Sequence, residues 1–449
     1  MAQTNNSGGG STTQLKRVLG FGDLMGAAVG QIIGAGIMTL LGSTMLRTGR
    51  SLPLAFLIAF VIICCQYLPL VFIGGTVRVR GGSYTTAAML AGKNFAGAYS
   101  IIYLFSNLSI SMYALSFAEY LIPLMGFGNV QVVALIILTL FFLLNCFGID
   151  KFAITQNIIV VLLVVALGLL VVFGFKHGID PNYFAEETWM TGGVLGLFQA
   201  GGLLTFAVGG GNEIINLSAE AKNPTKDIPK VMIISTLIVS ALYGVIAFVA
   251  AGVLPLDQVA GKNLSVVAQE VLPYGFYVFF VICGAGFALI STLNAKFAWA
   301  PKPTMQACDD GWFPAGLAKL SRWNTPIVIL TILYAIAVIC IVTGLSIDII
   351  GNMCQIANGF MNLMINWYLC RLPEVIPEEW NSSKFKVSNT TLRIIAMLGV
   401  LASALNIFLN ASDLSPVLLA LNAIVVIGAF VFAAVRGKHA KVVVSYEKL

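Results

Sequence analysis

Apolar stretches of about 20 residues, the length a helix needs to cross a ~30 Å hydrocarbon core, recur along this chain. Short connections rich in Pro, Gly or charge separate them. The pattern predicts twelve membrane-spanning segments, at 21–46, 52–75, 92–120, 129–148, 152–175, 193–218, 230–252, 274–300, 325–345, 347–370, 390–409 and 414–435. Ser51-Leu52-Pro53 opens the second, and Asn223-Pro224-Thr225-Lys226-Asp227-Ile228-Pro229 forms an elbow before the seventh. Pro301 and Pro303 interrupt the end of the eighth, because proline cannot donate the helical hydrogen bond. The stretch from Val77 to Ala91, with Gly81-Gly82-Ser83-Tyr84, is too polar to span and predicts a short helix or re-entrant piece.

Two segments carry a break inside the apolar run. Gly30-Gln31-Ile32-Ile33-Gly34-Ala35-Gly36-Ile37-Met38 interrupts the first, and Phe206-Ala207-Val208-Gly209-Gly210-Gly211-Asn212-Glu213 the sixth. Glycine lets the chain leave helical geometry without a Cβ penalty. In a bilayer such backbone is tolerated only where it is buried in protein or lines a cavity. The breaks are five segments apart. Five is odd, so the two halves would enter the membrane with opposite topology, as in an inverted 5 + 5 repeat with segments 11 and 12 appended. The expected architecture is all-α: one twelve-helix domain over 16–436, with repeats at 21–175 and 193–370 and the appended pair at 390–435. A disordered tail at 1–15 precedes it and a cytoplasmic tail at 437–449 follows.

Composition agrees with a membrane protein: 58% of the 449 residues are hydrophobic, 10% are charged, and mean hydropathy is +0.92. The net charge of +6 reflects sidedness and gives no reason to expect nucleic acid. With the N-terminus inside, twenty Lys and Arg fall on one side, four on the other (Arg47, Arg50, Lys176, Lys262) and Lys296 within a segment. The positive-inside rule then places both termini in the cytoplasm of a multi-pass cell-membrane protein. The eight cysteines sit mostly in apolar segments without metal-ligand spacing to His177 or His439 and read as packing residues.

The breaks suggest chemistry. Free N–H groups of Gly34, Ala35 and Gly36 at the start of a half-helix suit a carboxylate, and the free carbonyls ending near Ile33 suit an ammonium. The second break repeats both features around Phe206 to Asn212. Together they match a zwitterion, a free amino acid. Glycines can also serve close helix packing alone, but two such sites in corresponding positions favour binding.

Gly34-Ala35-Gly36-Ile37 resembles the G-S-G-I segment of the amino acid–polyamine–organocation superfamily, with Ala35 in the serine place. Phe206 to Asn212, followed by Lys222-Asn223-Pro224 and Ile228-Pro229, is similar to segment 6 of the L-type amino acid transporters. Gly81-Gly82-Ser83-Tyr84 and Asp309-Asp310-Gly311-Trp312-Phe313-Pro314 also resemble family motifs. The resemblance covers essentially the whole chain. It implies a LeuT-type fold and alternating access, with the substrate carboxylate on the amides of Ala35 and Gly36 and its amine on the carbonyls of Ile33 and Phe206. Phe206 would be an aromatic gate, and Asn212 a polar contact. Gly209, Gly210 and Gly211 leave volume near the substrate side chain, and Gly211 stands where several relatives carry Trp.

One departure from the family concerns coupling. Many relatives place a lysine in segment 5 where others hold sodium; here Leu163 falls at that position, and segment 8 carries Lys296 instead. A lysine within a span is expensive and marks function, unless it snorkels to the surface. Lys296 could take the cation role or exchange a proton. Ser291 and Thr292 could instead offer oxygens to Na⁺. Glu213 could favour its half-helix N-terminus, pair with Lys296, titrate, or read a substrate side chain. Asn352, Gln355, Asn358, Asn362 and Asn366 share one face of segment 10, as permeation-path lining or interhelical hydrogen bonds.

The loop Pro123 to Gln131 lacks the cysteine by which animal L-type chains join a heavy chain, so no such subunit is expected. No P-loop, nucleophile–base set, cofactor or firm metal site is expected, and the chain reads as a non-enzyme, monomeric or homodimeric. The expected function is secondary transport of free, neutral L-amino acids by exchange or cation coupling. A receptor of the same architecture that binds without transporting is the alternative, and a channel a more distant one.

Overall fold

The computed structural model describes residues 17–79, 81–147, 152–444 and 446–447. The expected tail at 1–15 lies outside them. The molecule is a helical bundle apart from one two-residue antiparallel strand pair, β1 (Arg78–Val79) with β2 (Tyr446–Glu447). Among the described residues, eight helical runs are long and apolar enough to cross a membrane: Phe21–Gly74, Lys93–Met125, Ile158–His177, Glu186–Glu220, Pro224–Gly252, Tyr274–Asp309, Asn389–Ala411 and Pro416–Arg436. Val130–Cys146 and Ile327–Val342 are shorter apolar helices. Ile347–Tyr368 is a 22-residue helix that carries the polar stripe of segment 10.

Both breaks are present. The first helix ends at Ile32 and the next begins at Ala35, with Ile33 extended and Gly34 at φ −151° and ψ −139°. The helix Gly193–Val208 stops before Gly209, and the chain resumes at Gly211–Glu220 as 3-10 turns. Gly210 between them has φ +103°, a left-handed value that a side chain would strain. A Cβ there would also come within 3.2 Å of the Gln31 carbonyl oxygen, so the two breaks lie against each other.

Local sequence shaped other elements in ways the apolar pattern did not resolve. The third segment is two helices, Lys93–Ser106 and Ser109–Met125, joined at Asn107-Leu108, and Asn107 Nδ2 donates to the Tyr103 carbonyl at 2.7 Å. The eighth contains a π-helical stretch, Phe280–Gly286, and restarts at Pro301, where a missing N–H costs nothing.

At the face where the first helix begins, called here the N-terminal face, several connections interlock. The polar stretch forms a buried helix, Gly82–Ala91. Ser83 donates from both its N–H and its hydroxyl to Asn216 Oδ1. Tyr84 donates to Asp310 Oδ2 at 2.7 Å, joining the two weaker motifs. Leu19 bridges to Ala221. The C-terminal residues cross this face, with the Lys441 N–H donating to the Asp310 carbonyl at 2.8 Å. Burial pushes the Asp310 carboxyl up to about 6, against the donors that hold its ionised form.

Candidate functional site

A cavity of about 70 Å³, open in part to solvent, lies beside the breaks. Gln31 comes to it from the first break, and Phe206, Gly209, Gly210, Asn212 and Glu213 from the second. Lys296 enters from segment 8, and Gln355, Asn358 and Asn362 from segment 10. Residues nearer the N-terminal face, Ser83 and Asn216, complete the wall on that side. The wall is therefore largely polar although the bundle is apolar.

Ile33, Gly34 and Gly36 sit behind this wall. A Cβ at Gly34 would lie 2.8 Å from Thr292 Oγ1 and 3.3 Å from the ring of Tyr113, a cavity residue. A Cβ at Gly36 would overlap Ala207, so the residues just after the first break touch those just before the second. The N–H groups of Ala35 and Gly36 are in the first turn of the resumed helix, whose first backbone bond runs from Met38 to Gly34. They have the orphan character of any helix start. The carbonyls that end the first half-helix are partly engaged. Thr292 Oγ1 lies 2.8 Å from the Ala288 carbonyl of its own helix, 2.9 Å from the Gly30 oxygen and 3.5 Å from that of Ile33, and Tyr243 donates to the Ile32 oxygen at 2.9 Å. Ser291 also turns to the Ala288 carbonyl, at 3.0 Å, and has no bond to the first break among the described residues.

Phe206 is half-buried and packs near Tyr113, with ring centroids 6.2 Å apart. Lys296 is 9% exposed. Its Nζ is 3.8 Å from Glu213 Oε1, while Glu213 Oε2 accepts from Asn216 Nδ2 at 2.6 Å. The lysine thus turns to Glu213 and the cavity and does not snorkel to the surface, and Leu163 in segment 5 is fully buried. The polar stripe of segment 10 divides. Gln355 bonds Thr205, and Asn358 bonds Gln355. Asn366 fastens the helix to segment 2 through the Gln66 carbonyl at 3.1 Å.

Sequence reasoning did not select Tyr67, Tyr99, Tyr103, Ser83 or Asn216 as site residues, yet all line the cavity. Tyr99 and Tyr103, four apart on one helix face, stack with centroids 5.9 Å apart. Tyrosine inside an apolar run was the available signal, since a buried hydroxyl needs a partner or water.

The opposite face is shut. Thr39 and Ser116 hydroxyls bond at 2.7 Å. Tyr120 donates to the Met38 carbonyl and accepts from the Leu264 N–H. A Cβ at Gly42 would overlap the Lys262 backbone, and one at Gly192 or Gly196 the Arg47 carbonyl. Arg47 reaches both Asp348 (3.6 Å) and Asp413 (3.1 Å).

A polar cavity between two broken helices, closed at one end inside an apolar bundle, defines a membrane-embedded solute carrier. The chain belongs to the amino acid permease family, whose model matches residues 19–432. It is similar to a branched-chain amino acid permease of Bacillus subtilis (26% identical; 70% of this chain and 72% of that protein). It is similar too to a serine/threonine exchanger of the same organism (24%; 72% and 76%). A vacuolar cationic amino acid transporter of Arabidopsis thaliana matches at 24% over 69% of this chain and 52% of its own length. The chain is accordingly a multi-pass membrane protein of an amino acid transporter family.

Proposed function

We propose that this protein is a secondary transporter of free, neutral L-amino acids that works by alternating access, with twelve spans in a LeuT-type 5 + 5 arrangement. The observation that carries this is the meeting of the two breaks, Gly210 against Gln31, at the edge of a polar cavity. The substrate amine would go to the carbonyls of Ile33 and Phe206 and its carboxylate to the amides of Ala35 and Gly36, with Phe206 as gate and Asn212 as a polar contact. The charge asymmetry of the sequence makes the N-terminal face cytoplasmic. On that reading the structure is an inward-facing state: Ser83, Asn216 and Asn362 extend the cavity toward the cytoplasm, and Arg47, Thr39 and Ser116 close the outside.

Cation coupling has two sets of residues to draw on. Thr292 gathers its hydroxyl with the carbonyl oxygens of Gly30 and Ile33, the oxygen chemistry a sodium ion favours. Lys296 and Glu213 form a charge pair beside the cavity. The cell membrane is the proposed location, and no heavy-chain subunit is needed.

The test is uptake of a labelled amino acid panel into liposomes holding the purified protein, with lumens empty or preloaded and sodium and pH gradients varied separately. Uptake only into preloaded vesicles means exchange. Uptake into empty vesicles that follows one gradient means symport. Saturable binding with no uptake under any condition contradicts the proposal and selects the receptor reading.

A further inference from the structure

We infer that Lys296 and Glu213 form a side-chain subsite that selects amino acids bearing an uncharged group with both a donor and an acceptor, the carboxamide of glutamine above all. The inference rests on the transport reading and deepens it.

Lys296 is more than nine-tenths buried and lines the cavity. Its ammonium approaches Glu213 at 3.8 Å, an ion-pair distance too long for a hydrogen bond. Among the described residues no closer acceptor is recorded for it. Glu213 has one oxygen filled by Asn216 and keeps Oε1 toward the lysine. Facing the cavity at this spacing, the ammonium and the carboxylate keep hydrogen-bonding capacity that water or a ligand must fill, because leaving it unmet is costly. A ligand group that accepts from Lys296 and donates to Glu213 fills it.

The position sets the length of that group. Thr292, on the same helix, touches the first break through the Gly30 carbonyl, and Lys296 is one turn further toward the N-terminal face, about 5–6 Å along the axis. Glu213 lies in the first turn after the second break, its N–H bonded to the Gly210 carbonyl. A substrate with its α-carbon between the breaks must therefore reach about one helical turn. The amide carbon of glutamine is three bonds of roughly 1.5 Å from the α-carbon, and a serine hydroxyl falls short.

Charge excludes the neighbours. A carboxylate side chain that reaches Lys296 meets Glu213, and an ammonium side chain that reaches Glu213 meets Lys296. A branched aliphatic side chain would strip both groups of water and return no hydrogen bond, the discrimination that buried polar sites exert best.

The experiment is uptake into proteoliposomes with competition by unlabelled glutamine, leucine, serine, glutamate and lysine, on wild type, Lys296→Met and Glu213→Gln. In wild type, glutamine should compete at least tenfold better than leucine, serine or either charged amino acid. Lys296→Met should lower the glutamine-to-leucine ratio at least tenfold. Glu213→Gln should improve glutamate relative to glutamine, because it leaves the lysine unopposed. Ratios within one variant do not depend on how much of it folds. If Lys296→Met yields no folded protein, the Glu213→Gln ratio decides. Wild-type vesicles that prefer leucine, or variants whose ratios match wild type, overturn this inference and leave the transport reading standing. Wild-type vesicles that take up no amino acid overturn both.

Discussion

The two ends of the bundle are built from the same helices and differ in what fills the space between them. Toward the end away from the N-terminus, segments 1 and 6 touch at Gly36 and Ala207, and Gly42 admits the backbone of Lys262. Thr39 meets Ser116 there, and Arg47 lies near two aspartates. Toward the N-terminal face the segments part, and the gap is lined by Asn212, Asn216, Lys296 and Asn358. The contrast is between one helix pair in close contact at one end and the same pair lining a polar cavity at the other. Glycines give the first its closeness, and polar side chains, able to hold water, keep the second open.

The largest effect should come from spoiling the seal. Gly42→Val places a branched side chain where even a Cβ overlaps backbone, and overpacking of this kind costs about 1–3 kcal/mol or more. Uptake should fall to background, while the protein extracts from the membrane with a lowered melting temperature. Uptake within twofold of wild type would mean that this end is not a tight gate. Thr292→Val should be next. It removes the hydroxyl shared with the first break and leaves the Gly30 carbonyl unmet, with an expected loss of about tenfold in uptake. If sodium drives transport, the same variant should also shift the sodium dependence, which flux at several sodium concentrations would read.

Asp310, in the network at the N-terminal face, gives a smaller, pH-dependent effect. Its folded value is raised to about 6 from 3.8 by burial. The folded protein therefore binds a proton that the unfolded chain has released, and this contribution is complete below about pH 4 and lost as pH rises through about 6. Asp310→Asn should remove that part of the pH dependence and raise the melting temperature at pH 7.5 relative to wild type, the shift corresponding to about 1–3 kcal/mol. Thermal unfolding between pH 4.5 and 8 checks it, and parallel curves for the two proteins would contradict it. Arg47→Ala should have the smallest effect. Its pairs are partly exposed, where such bonds contribute about 1 kcal/mol or less. Uptake should change severalfold at most, with thiol labelling of an introduced Ser43→Cys rising as the end away from the N-terminal face loosens.

Much of this comparison was legible in the sequence where residue type alone forces an outcome. Gly30 to Gly36 and Gly209 to Gly211 announced breaks because two glycine-rich stretches fall at corresponding places in two apolar runs. Lys296 announced itself because a charge in a span needs a partner, although Glu213 was one of several candidates. Pairings between distant residues were not legible. Nothing in Gly81 to Tyr84 says that Tyr84 meets Asp310, or that Ser83 meets Asn216, because those contacts depend on how the helices pack. The 3-10 geometry of Gly211–Glu220 was hidden for a related reason: its apolar spacing also suits an α-helix, and tertiary contacts chose between them. Tyr99 and Tyr103 look like ordinary apolar bulk until the cavity is seen beside them.

The central claim is that the cavity opens to the N-terminal face and holds the transported amino acid against the breaks. Asn358→Cys, on the cavity wall, tests it most directly when membrane-impermeant thiol reagent is applied to sealed vesicles of each orientation, with labelling counted above the native cysteines. The account predicts labelling from the N-terminal face alone, slowed by the transported amino acid at concentrations that half-saturate uptake. Labelling from the opposite face alone, or labelling indifferent to that amino acid, would contradict it.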